Sequence, residues 1–191
     1  MKYSLSWLNQ ELEKGIHHEF FFFWGHTQKN EGLTDKSCFS QWFPSPFTVD
    51  GVIYLTAEHW MMAKKAELFN DIEIKQHILK SETPGIAKEL GRKVKNFDDE
   101  KWSKACFEIV VEGNVNKFLK QDELRKFLLN TGDKVIVEAS PGDTIWGIGL
   151  SQDNPKAMSP STWRGKNLLG FALMEVRDRL KDNIKTNGHD R

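Results

Sequence analysis

Apolar and polar positions change period several times along this chain, and each change marks an element. From Tyr3 to Lys14 the apolar residues recur every three or four positions, which predicts a short amphipathic helix. Glu19 to Trp24 reads EFFFFW, too aromatic for a loop, and predicts a buried strand. Gly25 to Gln41 is polar and turn-rich and predicts a long loop. Phe47 to Thr56 (FTVDGVIYLT) predicts a hairpin, because Asp50-Gly51 is a favoured type I′ pair between β-branched and aromatic residues. Thr56 can cap a helix running to about Asn70, and a second follows from Asp71 to Lys80. Thr83-Pro84 starts a third, with proline at the first helical position. Asp98-Asp99 puts negative charge at the start of a long helix to about Leu119, followed by a short one over Asp122 to Asn130. Lys134 to Ala139 (KVIVEA) reads as a strand, Asp143 to Leu150 as a glycine-punctuated turn-and-strand region, and Trp163 to Lys181 as the last helix.

Helices outnumber strands, and the strands do not alternate regularly with them, so the expected class is α+β: a single, largely helical domain with a few short strands. The chain has 191 residues, enough for one core without a disulfide or metal staple. The expected organisation is a helical extension over residues 1–18, the domain proper over 19–182, and a polar tail over 183–191.

Composition narrows the function classes. Lys plus Arg and Asp plus Glu both number 27, a net charge of zero that argues against holding nucleic acid through a broad basic face. It leaves room for a local basic pocket and a small phosphorylated ligand. A mean hydropathy of −0.55 and the lack of a long apolar run predict no transmembrane helix. The N-terminal sequence has neither the apolar stretch of a secretory signal nor the acid-poor character of a transit peptide, so a cytoplasmic location is expected. Cys38 and Cys106 have no zinc-like spacing and are expected to be reduced thiols; no metal is expected. There is no GxGxxG, P-loop or GxSxG sequence, which removes the common dehydrogenase, kinase and hydrolase readings, and no cofactor is expected.

The candidate chemistry is a set of polar residues where apolar ones are expected. On TAEHWMMAKKAELF, Glu58, Met61, Met62, Lys65 and Phe69 share one face. The carboxylate and the ammonium therefore sit at inward phase, roughly 10 Å apart along the axis, a costly arrangement unless paired or functional. The bland alternative is a Glu58 that merely complements the helix dipole and a Lys65 that snorkels. His59 lies to the side and suits a structural hydrogen bond. Asp143 stands three residues before Trp146 in a loop after a strand, a site position or a plain Pro-Gly-Asp turn. Trp24-Gly25-His26 and Ser40-Gln41-Trp42 mix aromatic with short polar groups, which suits stacking on a heterocycle or simple core packing. Trp163-Arg164-Gly165-Lys166-Asn167 opens the last predicted helix and could hold phosphate or be a solvated basic turn. Trp102 fits a core or a pocket wall equally.

Five segments together, FFFWGH, CFSQWFPSPF, YLTAEHWMMAKKAELF, VIVEASPGDTIWGIGL and PSTWRGKNLLGFALMEVR, resemble the NADAR, or YbiA-like, family over roughly residues 20 to 180. The resemblance implies an α+β, largely helical fold and an N-glycosidase. Some members hydrolyse phosphoribosylamino-pyrimidine intermediates of riboflavin biosynthesis, and others remove ADP-ribose from guanine in nucleic acid as toxin antidotes. A non-catalytic module that binds ADP-ribose or NAD is the remaining reading. Carried over by motif, the resemblance implies Glu58, Asp143 and Lys65 as catalytic residues. It implies Trp24, Gly25, His26, Gln41, Trp42, Trp102, Trp146 and Asn167 at the substrate. Gln41 stands where some members have asparagine, a departure that bears on substrate choice. The implied partner is a phosphorylated ribosyl small molecule or ADP-ribose, with nucleic acid only as an ADP-ribosylated substrate and no membrane. Lys65 has two open roles, a polar contact to phosphate or an amine that attacks an opened ribose.

Overall fold

The structure, a computed structural model, describes residues 1–30 and 32–187, without the side chains of 184–187. The chain forms two compact units: Ser40–Asp122, inserted in sequence, and an outer unit made from Met1–Phe39 and the chain from Glu123 onward.

The outer unit opens with helix α1 (Leu5–Glu13), started by Ser4, whose hydroxyl accepts the Trp7 N–H at 3.0 Å. Strand β1 (Phe20–Phe23) follows, then a short 3-10 turn over Lys36–Phe39 within the predicted loop. The inserted unit holds a hairpin of β2 (Phe47–Val49) and β3 (Val52–Tyr54), with Asp50 and Gly51 at φ of 49° and 77°, as a type I′ turn requires. Four helices complete it: α2 (Ala57–Leu68), α3 (Ile72–Lys80), α4 (Pro84–Gly91) and α5 (Asp99–Lys120). Each begins where the sequence offers a cap, at Thr56, Asp71, Thr83 and Asp98, whose side chains accept the N–H three residues on. The chain then returns to the outer unit through α6 (Asp122–Leu129), β4 (Val135–Glu138) and α7 (Leu168–Asn187).

β1 and β4 pair in parallel, from Phe20 against Val135 to Phe23 against Glu138. A parallel pair needs a long crossover and cover on its faces. The crossover here contains the whole inserted unit. Val135, Ile136 and Val137 are buried, as are Leu169, Phe171, Ala172, Leu173, Met174 and Val176 of α7. Each of these Val, Ile, Leu, Phe and Met side chains contributes about 1.5–3 kcal/mol when fully buried. The fold is therefore α+β, with seven helices and four short strands among the described residues.

Three expectations are corrected. The last helix begins at Leu168 rather than Trp163, and Pro160–Thr162 is a separate 3-10 turn. Asp143 to Leu150 contains turns and no strand. Helix α7 runs through Asn187, so the first part of the expected tail is helical, and residues 188–191 lie outside the described residues. Residues 1–18 pack against the rest of their unit: Leu8 is buried, and the Tyr3 hydroxyl donates to Asp178 of α7 at 2.8 Å. No helix among the described residues is long and apolar enough to cross a membrane.

Candidate active site

In the inserted unit the site is built on α2. Glu58 is the second residue of that helix and only 5% exposed; Met61, Met62 and Phe69 are buried on the same stripe. The inward phase read from the sequence is the one observed. The Glu58 N–H, which a helix start leaves without a partner, donates to the Gln41 carbonyl at 2.9 Å. His59 points elsewhere. Its Nε2 meets the Ser81 carbonyl at 3.1 Å and so carries the proton, while its Nδ1 takes the Thr56 hydroxyl at 2.8 Å. Burial lowers its proton affinity, and it is a neutral structural histidine.

Lys65 lies two turns beyond Glu58, half-buried, with its Nζ 4.3 Å from the Phe97 ring centre and 5.5 Å from that of Trp102. Burial lowers its pKa from the usual 10.5, and the nearby Arg92 charge lowers it further. Lys65 and Trp102, both assigned to the site by the resemblance, are neighbours in space. Trp42 is half-buried, packed by its ring against the start of α4 at Gly85, with the Lys88 ammonium 5.8 Å from the ring centre. A separate groove of about 520 Å³, lined by Phe69, Asn70, Asn96 and Lys101 among others, holds none of the predicted site residues.

In the outer unit the candidates gather at the carboxyl ends of the two parallel strands, where open α/β sheets commonly place ligands. β1 runs out into Trp24, Gly25 and His26, all exposed, Trp24 by 60%. β4 runs out into the Asp143 loop beside it, and the Ala139 N–H donates to the Phe23 carbonyl at 2.9 Å. Asp143 Oδ1 accepts the N–H groups of Ile145 at 2.8 Å and Trp146 at 2.7 Å, with Gly147 at 3.5 Å. One carboxylate oxygen thus shapes the turn that carries Trp146, itself half-buried.

The resemblance implied Asn167 at the substrate, and its geometry is of another kind. Asn167 is wholly buried, with φ of 53°. Its Oδ1 accepts the Glu138 N–H at 2.9 Å and its Nδ2 donates to the Ile136 carbonyl at 2.9 Å. Both ends of the amide are spent on β4, so Asn167 pins α7 to the strand that delivers the Asp143 loop. The first N–H groups of α7 are spent as well: Leu168 and Leu169 donate to the Ile145 and Trp146 carbonyls at 3.3 and 3.0 Å. A phosphate at this helix start would meet occupied donors.

Sequence reasoning missed a polar pair beneath Gln41. Gln41 is 7% exposed, and its Oε1 accepts from Asn114 Nδ2 of α5 at 2.7 Å. One turn further on α5, the fully buried Lys117 donates to the Ser40 carbonyl at 2.9 Å. Polar residues at i and i+3 inside a long helix were the available signal, unused because their partners lie about seventy residues away. Glu138 was missed too, a half-buried carboxylate at the end of β4 in a stretch read only as strand.

The α+β fold sets the class of this protein, and comparison with known proteins agrees with that class. The NADAR domain model matches residues 22–181, and the chain belongs to the NADAR family. It is 43% identical over 165 residues to N-glycosidase R617 of Acanthamoeba polyphaga mimivirus, covering 84% of this chain and 95% of that one. It is 31% identical over 146 residues to N-glycosidase YbiA of Escherichia coli K12, covering 76% and 81%. The NMR structure of E. coli YbiA superposes with a TM-score of 0.70 at 26% identity, over 87% of this chain and 88% of that one. The α+β fold and the glycosyl-hydrolase class expected from the resemblance both agree with these relatives.

Proposed function

We propose that this protein hydrolyses the bond between C1′ of a ribose and the nitrogen of a base or base precursor, with phosphoribosylamino-pyrimidine intermediates of riboflavin biosynthesis as substrates. The observation that carries the reading is the α2 stripe. A buried carboxylate, Glu58, and a half-buried ammonium, Lys65, stand on one helix face, with Lys65 against two aromatic rings. The relatives' N-glycosidase names support the same reaction class.

C1′–N cleavage develops positive charge on the sugar and needs a held leaving nitrogen and a delivered water. The family resemblance assigns Glu58 and Asp143 as the carboxylates for charge and water, and Trp102 and Trp146 as stacking surfaces. The lowered proton affinity of Lys65 favours a second route through the same bond. In it the Nζ lone pair attacks C1′, the base leaves with a proton, and the ring opens to an imine that water hydrolyses to sugar and free amine. That route suits removal of ADP-ribose from guanine equally well, and this is the second substrate reading.

A parallel assay separates the substrates by reading released base by mass from phosphoribosylamino-pyrimidines, NAD and a guanine-ADP-ribosylated oligonucleotide. Turnover of the first is the expected result. Release only from the oligonucleotide replaces the substrate, and binding of all three without release leaves an ADP-ribose-binding module instead of an enzyme.

A further inference from the structure

The end of α4 brings a second cation to Lys65. Gly91 lies so close to Met62 that an added Cβ would stand 2.1 Å from the Met62 Sδ, so α4 packs tightly on α2 there. That contact sets Arg92, the next residue, beside α2 one turn before Lys65, near enough for its charge to act on the ammonium. Arg92 is exposed. Neither side chain has a hydrogen-bond or ion-pair partner among the described residues. Some other cations of this unit are paired, Lys64 and Lys75 with Glu67, Lys95 with Glu73 and Lys104 with Glu100, whereas Lys80, Lys88 and Lys93 have no such partner among the described residues; what sets Arg92 apart is its place beside Lys65. Two neighbouring like charges repel, and an anion seated against both removes that repulsion.

We propose that Arg92 is the residue that binds the substrate's phosphate, its planar guanidinium taking two phosphate oxygens beside Lys65, whose ammonium lies 5.5 Å from the Trp102 ring centre. The inference rests on the ribosyl substrate proposed above. It assigns the anion to the guanidinium and leaves Lys65 for the sugar. A ribose 5-phosphate and the diphosphate of ADP-ribose offer the same chemistry.

The test is calorimetric binding of ribose, ribose 5-phosphate and ADP-ribose to the full chain and to Arg92→Ala and Arg92→Lys, each checked by thermal melting. Arg92 is exposed, so both variants should fold. Arg92→Ala should weaken at least one phosphorylated ligand by about tenfold or more and leave ribose unchanged, with Arg92→Lys in between. The arm that responds identifies the phosphate source. The proposal is overturned if Arg92→Ala binds both phosphorylated ligands as wild type does, or if wild type binds them no more tightly than ribose. Failure of wild type to release any base would sink the proposed reaction alone, because the binding arms would still decide Arg92.

Discussion

The two catalytic carboxylates proposed here are held in opposite ways. Glu58 sits on a helix that would exist without it: Thr56 caps α2, the Gln41 carbonyl takes the Glu58 N–H, and buried methionines fix the stripe. Asp143 builds the loop it stands on, since its Oδ1 collects the N–H groups of Ile145 and Trp146. A side chain on a ready-made scaffold can be exchanged with little structural consequence, whereas one that organises its own backbone carries chemistry and architecture together. Activity and stability should therefore separate at Glu58 and fail together at Asp143.

Glu58→Gln is the sharpest probe. It keeps shape and removes charge, so turnover should fall by about a hundredfold or more while the melting curve stays near wild type. Wild-type turnover would remove Glu58 from the mechanism. Lys65→Arg comes next. A guanidinium cannot form an imine, so on the amine route this variant should be as inactive as Lys65→Ala, and borohydride added during turnover should leave an adduct on Lys65 visible by peptide mass. Substantial activity in Lys65→Arg without an adduct would return Lys65 to a polar contact and leave water to attack directly.

Asp143 gives the coupled case. Asp143→Ala should lose activity and about 1–3 kcal/mol of stability, read by denaturant unfolding. Asp143→Asn retains an acceptor oxygen and should recover most of the stability with little of the activity. Equal stability in the two variants would show that the loop does not depend on Oδ1. The smallest effect concerns His59, next to Glu58 but outside the chemistry. Burial depresses its folded-state pKa below the usual 6.5, so the unfolded chain binds the extra proton first. Its contribution to stability is full above pH 6.5 and is lost as pH falls through and below that value. Between pH 7 and 5 the melting temperature should drop further in wild type than in His59→Gln; parallel curves would contradict the assignment of a neutral histidine.

What could be read from the sequence was local. The phase of Glu58 and Lys65 followed from helical spacing, the helix starts from Thr56, Asp71, Thr83 and Asp98, and the hairpin from Asp50-Gly51. What could not be read depends on contacts between distant segments. Arg164 to Asn167 looked like the opening of a helix, yet Gly165 lies where an added Cβ would meet the Gly147 carbonyl oxygen at 2.2 Å. That approach holds the segment as a connector and delays α7 to Leu168. Asn167 was legible as a special residue but not as a clamp on β4, because its partners, Ile136 and the Glu138 N–H, lie about thirty positions earlier. The Gln41–Asn114 pair escaped notice for the same reason. Arg92 escaped because an exposed arginine after a helix is ordinary until its neighbours are known.

The parallel pairing of β1 with β4 also fixes an order of events during synthesis. Phe20 must wait for Val135, and every residue from 40 to 122 leaves the ribosome in between. The main partners of α2, the helices α3, α4 and α5, are all supplied by that continuous stretch and each reached over a short span. The strand FFFF, by contrast, emerges early with its backbone edge open and its mate still untranslated. Such an edge is the part of a nascent chain most exposed to wrong pairing. Its four residues are few, and Glu19 and the Gly25-His26 turn bracket it closely. Shortness limits the template that this strand offers to other chains during the interval before β4 arrives.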